Sequence, residues 1–371
     1  MRTQSSGTVG IREYTAIMLL ILGVKLSDKT PALYFDSMKN ASWMGPIIAG
    51  LITIVPLYFL IKVFSLYQDK NLHDIIRHHF GRYLGFGISF LFFVYGSAVI
   101  LADARSYVDI ISTVYFPKTP TLVVFIVFMV TCSYTAKKGI QHLGSLSWMT
   151  LFYIKFTLML ALLLTLKEGH LYTIFPFWGP GIKDVLTEGV LKTSLFGEFL
   201  YMGLIYPYLA SAKVFSKGSW IALAFLTVEI SLAFLLFIMM FDYMPASNLS
   251  YPFHEVIKYI SIGRFITNLD TLFFPFWIIA SLIRFSVFLF IDAVLLGSIF
   301  KIKQFEFTIP ILASVFLIIG MIPESPSFTI YRLLDSLYRV MSPVFIIFPI
   351  LLWLMAKLKG DVKHAQSQNN V

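Results

Sequence analysis

The stretch that decides the fold is Ala16-Ile-Met-Leu-Leu-Ile-Leu-Gly-Val-Lys-Leu-Ser-Asp-Lys-Thr-Pro31, an apolar run interrupted by Gly, Lys, Asp and Pro. A second run, Ser194-Leu-Phe-Gly-Glu-Phe-Leu-Tyr-Met-Gly-Leu-Ile-Tyr-Pro-Tyr-Leu-Ala210, is interrupted in a similar way. In lipid, an unsatisfied backbone group costs several kcal/mol, so helix breaks persist only where they line a cavity within protein. Broken helices at matching positions of two halves are typical of transporter-type sites at the middle of the bilayer. The two runs therefore predict a small-solute site inside a helical membrane bundle.

The composition is that of a polytopic membrane protein. Of 371 residues, 58% are hydrophobic and only 13% are charged, a balance that excludes an ordinary soluble domain. A helix needs about 20 residues to cross the hydrocarbon core. Ten spans of this kind centre on Arg12–Phe35, Trp43–Phe64, Tyr83–Ala104, Thr121–Thr135, Leu143–Leu166, Leu191–Ala212, Trp220–Phe241, Leu269–Phe300, Ile309–Ile322 and Tyr331–Ala356. We therefore predict an all-α integral membrane protein with a single polytopic domain over residues 1–371.

Lys and Arg are distributed unequally between the two sets of loops. With both termini in the cytoplasm, fifteen of them fall in cytoplasmic segments and eight in the opposite loops, which follows the positive-inside rule. The net charge of +9 is therefore interpreted as membrane topology, and no nucleic-acid surface is predicted. The polar tail, residues 358–371, is predicted to be disordered and cytoplasmic.

Motifs of enzymes and metal sites are absent from the sequence. Cys132 is the single cysteine, so there is no disulfide framework and no zinc pattern. The seven His residues do not have metalloprotease spacing, and neither a phosphate-binding loop nor a nucleophile elbow occurs. No small-x-small cleavage site follows the first apolar stretch, so a signal peptide is not predicted. We expect no catalysis, no cofactor and no metal.

Two surface helices extend the internal repeat beyond the broken spans. Asn71–Phe80 and Tyr251–Ile260 each follow a span, and they lead into Gly81 and Gly263, which lie 182 residues apart. The matching glycines of the two breaks lie 180 residues apart. The first surface helix is predicted on the cytoplasmic side of the membrane and the second on the opposite side, as an inverted five-plus-five repeat requires. We place repeat one at about 11–166 and repeat two at about 190–357, with spans one and six broken.

The first break has the residues of a new helix start. Ser27 and Asp28 are good N-caps, and Pro31 suits a first helical turn. The free N–H groups and the positive end of the helix dipole suit an anion such as an amino-acid carboxylate, and Gly23 lets a ligand approach the backbone closely. The alternative is a kinked helix packed tightly on its neighbours, with Lys25 and Asp28 merely paired.

Span six offers a second set of candidates. Glu198 lies one turn before the break at Gly203–Pro207 and is placed to accept a ligand ammonium or to stay protonated. Tyr201 and Tyr206 offer ring faces and hydroxyls. For each tyrosine, ordinary packing is an equal alternative.

Lys155 lies near the middle of span five, from where its ammonium cannot easily reach water. It therefore needs a partner or a cavity, and two interpretations remain open. In the first, Lys155 pairs with a carboxylate and has a structural role. In the second, it lies beside the unwound part of span one as a protonatable cation that replaces sodium.

The remaining ionisable residues of the spans are interpreted structurally. The i,i+4 spacing of Asp335 and Arg339 predicts a direct pair on span ten, and Arg284 and Asp292 are predicted to pair within span eight. Glu229 in span seven has no partner that the sequence identifies. Three residues are predicted to lie at the outer interface of span three: Asp103, Arg105 and Asp109.

Several stretches, taken in order, carry a resemblance to a known family. They are Asn40-Ala-Ser-Trp-Met-Gly-Pro-Ile-Ile-Ala-Gly50, Phe175-Pro-Phe-Trp-Gly-Pro-Gly181 with Gly189, Gly197-Glu198 with Pro207-Tyr208, and Tyr251-Pro-Phe-His-Glu-Val-Ile-Lys-Tyr-Ile-Ser-Ile-Gly263 with Phe274-Pro-Phe-Trp-Ile278. In their order and spacing, the chain resembles the membrane-embedded B subunits of spore nutrient germinant receptors, the GerB family. That family belongs to the amino acid/polyamine/organocation superfamily, so the resemblance implies a LeuT-like fold.

The resemblance also implies a function and a set of site residues. It implies a receptor subunit of the spore inner membrane that binds a small germinant, often an amino acid, and acts with an A subunit and a lipoprotein C subunit. Superfamily architecture places spans three and eight beside the broken helices. The predicted ligand-binding residues are Gly23, Lys25, Ser27, Asp28, Thr30, Tyr95, Val99, Glu198, Tyr201, Gly203, Ser286 and Phe290, with Lys155 as a candidate proton or cation site.

A second function stays open because it needs the same site. A proton-coupled amino-acid permease would move its solute by alternating access of the same scaffold. A membrane enzyme would need a catalytic constellation that the sequence does not contain. The family resemblance favours the receptor over the permease.

Overall fold

The computed structural model describes residues 8–242, 244, 249, 251–259, 269–322 and 326–362. Within these ranges the chain is almost entirely helical. The α-helices are α1 Ile11–Gly23, α2 Thr30–Met38, α3 Met44–Leu66, α4 Leu72–Ile110, α5 Thr121–Lys137, α6 Ile140–Glu168, α7 Ile182–Leu191, α8 Glu198–Tyr201, α9 Ala212–Phe241, α10 Pro252–Tyr259, α11 Leu269–Phe300, α12 Thr308–Gly320 and α13 Pro326–Leu358.

The helices correspond to the ten predicted spans. Six of them, α3, α4, α6, α9, α11 and α13, are long and apolar enough to cross a membrane. α5 and α12 belong to shorter apolar helices. The remaining two spans are broken: α1 and α2 together form span one, and the irregular segment around α8 forms span six.

The two broken spans run antiparallel to each other. At one end, the Val9 amide donates to the Tyr208 carbonyl at 2.9 Å, and the Ala210 amide donates to the Val9 carbonyl at 3.0 Å. At the other end, Lys192 Nζ donates to Ser37 Oγ at 2.7 Å. The start of span one therefore meets the end of span six, as two repeats of opposite orientation require.

The breaks themselves differ in extent. In span one, a short 3₁₀ segment at Val24–Ser27 separates α1 from α2. In span six, 3₁₀ segments at Thr193–Phe196 and Met202–Tyr208 leave only one α-helical turn between them. The predicted break at Gly203–Pro207 is thus too narrow, because the irregular backbone begins near Thr193.

Gly203 has a packing role in this segment. A Cβ atom at Gly203 would lie 2.3 Å from the Phe64 ring, so only glycine allows span six to approach span two this closely. The Tyr206 ring also packs on Phe64, with ring centroids 4.7 Å apart. Gly203, predicted as a ligand contact, therefore packs against span two. Tyr206 does the same, which agrees with the packing alternative for this tyrosine.

The first surface helix is the N-terminal part of α4. Its start has a capping box, in which Asn71 Oδ1 accepts from the Asp74 amide at 2.9 Å and so satisfies one of the orphan donors of the first turn. Gly81, with φ of +77°, bends the helix where the span begins. The apolar side packs inward: Leu72, Ile75 and Ile76 are buried, and Phe80 is half-buried.

The second surface helix is α10, at Pro252–Tyr259. Phe253, Val256 and Ile257 are buried, so this helix also packs an apolar side on the bundle. Its predicted ending at Gly263, Arg264 and Phe265 lies outside the described residues, as does residue 363 onward of the tail.

Candidate functional site

A cavity lies between spans one, three, six, eight and ten, beside the break of span one. Its volume is about 40 Å³, room for roughly three water molecules at about 10–15 Å³ each. The lining residues are Lys25, Tyr95, Gly96, Val99, Ile100, Asp103, Ser194, Gly197, Glu198, Tyr201, Arg284, Phe288, Tyr338 and Met341. Side chains must move before a ligand as large as an amino acid can enter.

Two cations and two carboxylates form one connected cluster in this cavity. Lys25 Nζ lies 2.5 Å from Glu198 Oε1, and Arg284 Nη2 lies 2.7 Å from Asp103 Oδ2. The pairs are linked, because Arg284 Nη2 is also 3.6 Å from Glu198 Oε1. All four residues are at most 7% exposed, so the formal charges cancel where solvent cannot screen them.

The broken backbone helps to hold these cations in place. The last carbonyls of a helix have no intrahelical partner, and Arg284 Nη1 donates to one of them, that of Ile21. Lys25 Nζ donates to the Leu195 carbonyl in the irregular part of span six at 2.7 Å. Tyr107 donates to the Val24 carbonyl at 3.1 Å. The break thus supplies acceptors that orient the charged side chains.

Two polar atoms of the cluster remain without a hydrogen bond. Glu198 Oε2 and Arg284 Nε are buried and have no hydrogen-bond partner in the described part of the chain. Buried polar groups are nearly always satisfied, and leaving one unmade costs about 1–3 kcal/mol, more for charged groups. The cluster therefore has an unfilled acceptor on an anion and an unfilled donor on a cation, an arrangement that suits a zwitterion.

The predicted anion site at the start of α2 is filled by the protein itself. Asp28 Oδ1 accepts from the Thr30 amide at 2.6 Å, so a carboxylate already occupies the position expected for a ligand. Ser27 Oγ donates to the Val24 carbonyl at 2.6 Å and accepts from Trp277 Nε1 at 2.7 Å. Ser27, Asp28 and Thr30 consequently lie outside this cavity, and the predicted alternative of a Lys25–Asp28 pair is wrong.

Both residues predicted in span three line the cavity, and so does the predicted Tyr201 of span six. Tyr95 and Val99 line it. The hydroxyl of Tyr95 donates to the Leu337 carbonyl at 2.9 Å, and that of Tyr201 donates to the Phe92 carbonyl at 2.9 Å. The hydroxyls therefore join helices together, which leaves the rings for contact with a ligand.

Span eight presents a different face from the one predicted. Arg284 and Phe288 line the cavity, whereas Ser286 donates to the Leu282 carbonyl at 2.6 Å. Phe290 packs on Tyr208 with ring centroids 5.8 Å apart. A shift of two residues turns a helical position by about 200°, so Ser286 and Phe290 lie outside the cavity.

Lys155 and Glu229 form a second, half-buried ion pair on another side of the break. Lys155 Nζ donates to both Glu229 oxygens, at 2.6 and 2.8 Å. A Cβ atom at Gly23 would lie 2.6 Å from that ammonium, so the glycine makes room for the ion pair. Gly23, Ser27 and Lys155 line a cavity of about 20 Å³ here. The predicted carboxylate partner of Lys155 is present, and its role as a proton site stays a prediction.

Two other predictions about ion pairs are corrected. Arg284 does not pair with Asp292, whose Oδ2 accepts from Ser97 Oγ at 2.9 Å. Asp103 is not interfacial but lies at the centre of the cavity cluster, whereas Arg105 and Asp109 pair with each other at 3.3 Å. The sequence carries one signal for the Asp103–Arg284 pair, namely residues of opposite charge in spans three and eight, which the prediction did not use.

The pair on span ten is confirmed and is part of a larger cluster. Arg339 Nε lies 2.7 Å from Asp335 Oδ2, and Arg339 Nη2 lies 2.9 Å from Glu188 Oε2. Glu188 in turn contacts Lys192 Nζ at 2.6 Å. This cluster connects α7 with span ten close to the start of the irregular part of span six.

One group of side chains in the described residues has the geometry for a metal. Ligand atoms of His78, His79 and Asp361 lie within 4.8 Å of one another. The Tyr67 hydroxyl already donates to Asp361 at 2.5 Å, and His78 contacts the same oxygen at 3.0 Å. Burial acts to raise the pKa of Asp361, but these hydrogen bonds outweigh it and leave that pKa lowered. Hydrogen bonds between the tail and the loop after span two therefore account for this group.

Comparisons with known proteins agree with this architecture. A family model described as spore germination protein matches residues 14–329. Spore germination protein XB of Bacillus anthracis is 22% identical over 370 residues, 97% of each chain. Spore germination protein KB of Bacillus subtilis strain 168 is 22% identical over 267 residues, which cover 71% of this chain and 72% of that relative.

A solved transporter structure shares the fold. Mhp1, a nucleobase-cation-symport-1 family transporter in a closed conformation with bromovinylhydantoin bound, superposes with a TM-score of 0.62 at 14% identity. The match covers 93% of this chain and 80% of Mhp1. This likeness confirms the predicted LeuT-like fold of an integral membrane protein.

Proposed function

Since this chain belongs to the spore germination protein family, we propose that it is the B subunit of a germinant receptor that binds a small nutrient at mid-membrane. The proposal includes signalling to partner subunits, an A subunit and a lipoprotein C subunit. It also includes a place in the spore inner membrane, with both termini in the cytoplasm, in keeping with the distribution of Lys and Arg.

The cavity cluster supports a zwitterionic amino acid as the ligand. Its charges sum to zero, and its two open hydrogen-bonding atoms are Glu198 Oε2 and Arg284 Nε. An α-ammonium would lie against Glu198 and an α-carboxylate against Arg284 or Lys25. Val99 and Phe288 line the same cavity and would contact a small apolar side chain. The unfilled acceptor on Glu198 and the unfilled donor on Arg284 are the observation that carries this proposal.

Ligand binding would compete with the ion pairs that hold the spans together. Lys25–Glu198 joins the two broken spans, and Arg284–Asp103 joins spans three and eight. A ligand can shift a conformational equilibrium only by its difference in affinity for the two states. A zwitterion that replaces these contacts supplies such a difference, and partner subunits would sense the new arrangement of the spans.

The test is germination of spores that carry Glu198→Gln at a normal protein level, across a panel of amino acids and sugars. Loss of a charge-assisted hydrogen bond of about 1.5–3 kcal/mol should raise the required concentration of one amino acid by roughly 10-fold to 100-fold. Asp292→Asn is the matched control, because Asp292 is equally buried but lies outside the cavity. Unchanged responses to every nutrient in the Glu198→Gln spores would refute the proposal.

A proton-coupled permease is the second candidate, favoured by the Lys155–Glu229 pair beside the break. Ionisable residues deep in a membrane bundle often belong to proton pathways. Uptake of the triggering amino acid into proteoliposomes, with and without a pH gradient, separates the two functions. The receptor predicts no gradient-driven uptake, whereas uptake that Lys155→Met abolishes would establish the permease.

A further inference from the structure

A large cavity lies apart from the candidate ligand site, where the first surface helix joins span three and span eight ends. Its volume is about 410 Å³, and its lining includes His73, Arg77, Arg82 and Lys301. By the proposed topology, this junction is at the cytoplasmic surface of the membrane. The ligand cavity and its charged cluster share no residue with it.

A sharp bend of the chain forms this cavity. Gly81 has φ of +77°, a conformation that favours glycine. Beyond the bend, a Cβ atom at Gly85 would lie 2.9 Å from the Arg77 Cα. The surface helix therefore folds back closely on the start of span three, which places Arg77 and Arg82 on the two sides of the bend.

The described part of the chain supplies no acidic partner for the cations of this cavity. Among the described residues, Arg77, Arg82 and Lys301 form no ion pair within 4.0 Å. The neighbouring carboxylate, Asp74, is exposed and accepts from the Asn71 amide in the capping box. Three unpaired cations around one cavity leave it with a strong excess of positive charge.

His73 adds a fixed polar group to the wall of the cavity. It is 4% exposed, and its Nδ1 lies 2.8 Å from Ser89 Oγ. When Nδ1 accepts from that hydroxyl, Nε2 carries the proton and can donate a hydrogen bond. The ring is thus held by span three as a preoriented donor.

Exposed rings border the same cavity. Tyr83 is 86% exposed and Phe300 is 52% exposed, and both line the cavity. In a membrane protein, aromatic residues at the end of a span contact the headgroup region of the lipid. A soluble anion would use only the cations, whereas a lipid would use the cations and the rings together.

We propose that this cavity binds the phosphate headgroup of an anionic phospholipid, with Arg77, Arg82 and Lys301 around the phosphate and His73 as a hydrogen-bond donor. Basic pockets between membrane helices at the cytoplasmic side are suited to such headgroups. The acyl chains would lie along span three, beside Tyr83 and Phe300.

The experiment is native mass spectrometry of the full chain in detergent, with short-chain phosphatidylglycerol, short-chain phosphatidylcholine or glycerol 3-phosphate added. The wild type should bind phosphatidylglycerol at least roughly tenfold more tightly than phosphatidylcholine, because three cations surround the phosphate. The triple variant Arg77→Gln, Arg82→Gln, Lys301→Gln should lose this preference. Arg82→Gln alone, at an exposed position, should weaken binding by about fivefold even if the triple variant folds poorly.

The control removes the same charge elsewhere: Lys70→Gln, Lys137→Gln, Lys138→Gln should keep the preference. Equal binding of the two lipids by the wild type would overturn the proposal, and so would an equal loss in the control variant. If glycerol 3-phosphate binds as tightly as phosphatidylglycerol, the cavity is a site for soluble phosphates, and the assignment to a lipid is wrong.

Discussion

Two charge sites within the bundle lie on different sides of the same helix break, and they differ in how completely their hydrogen-bonding atoms are satisfied. In the Lys155–Glu229 pair, both carboxylate oxygens accept from one ammonium. In the cavity cluster, Glu198 Oε2 and Arg284 Nε have no partner in the described residues. Charge within a membrane span is therefore a poor indicator of a ligand site by itself. The unfilled hydrogen-bonding capacity is the difference between these two charge sites, and it is the reason why the proposed ligand is placed in the cavity cluster.

The strongest way to break this comparison is to remove Arg284. Arg284→Gln leaves Asp103 buried without its cation and the Ile21 carbonyl without its donor, which should destabilise the protein by about 3–5 kcal/mol. Thermal unfolding of the purified protein in detergent measures this loss of stability. The double variant Arg284→Gln, Asp103→Asn should recover much of the loss, because no unpaired charge remains. Wild-type stability of Arg284→Gln would show that the cluster does not hold the spans together.

Stabilisation of the protein by its ligand tests directly which of the two charge sites binds the ligand. The amino acid identified by the germination panel should stabilise the wild type by about 2.7 kcal/mol at 100 times its dissociation constant. Glu229→Gln should keep this increment although it weakens the Lys155 pair, whereas Glu198→Gln should lose most of it. The measurement is the rise in melting temperature on adding the amino acid. Loss of the increment in Glu229→Gln alone would move the ligand site to the Lys155 pair.

Gly23 tests whether the second pair depends on close approach. Gly23→Ala places a methyl group against the Lys155 ammonium and should cost about 1–3 kcal/mol. The cost should shrink in a Lys155→Ala, Glu229→Gln background, where the methyl group has space. Gly87→Ala is the control, since apart from its chain neighbours and its own helix backbone no atom lies within 4 Å of a Cβ there. An equal effect of Gly23→Ala in both backgrounds would show that the ion pair is not what requires the glycine.

The smallest effect concerns span eight. Ser286→Ala removes a hydroxyl that bonds its own helix and should change stability by no more than about 0.5 kcal/mol, with the germination response unchanged. Val99→Leu adds a methylene to the cavity wall and should raise the required amino-acid concentration by roughly tenfold. Dose–response curves of germination for the Ser286→Ala spores and the Val99→Leu spores measure both effects. A weakened germination response in the Ser286→Ala spores would restore the predicted face of span eight.

Much of the fold follows from the sequence because lipid imposes strict conditions on the backbone. Span length, the interruption at Gly23–Pro31 and the repeat all arise from local residue patterns, and the structure shows each of them. Asp335 and Arg339 are one helical turn apart, so local geometry alone predicts their contact.

The parts that sequence reasoning missed depend on how helices are rotated against one another. Periodicity identifies residues that share a face, but it does not say which face meets the cavity. The expected face of span eight, Ser286 and Phe290, is therefore displaced by two residues from the observed one. The pairing of Arg284 with Asp103 joins residues 181 positions apart, and only the packing of spans three and eight brings them together.

The backbone bridge at the start of span one has one more consequence. Two main-chain hydrogen bonds connect the two broken spans at one end: the Val9 amide donates to the Tyr208 carbonyl, and the Ala210 amide donates to the Val9 carbonyl. Every residue except proline carries these main-chain groups, so the fastening does not depend on side-chain chemistry. Substitutions of the side chains that line the cavity would therefore leave this connection between the two broken spans intact.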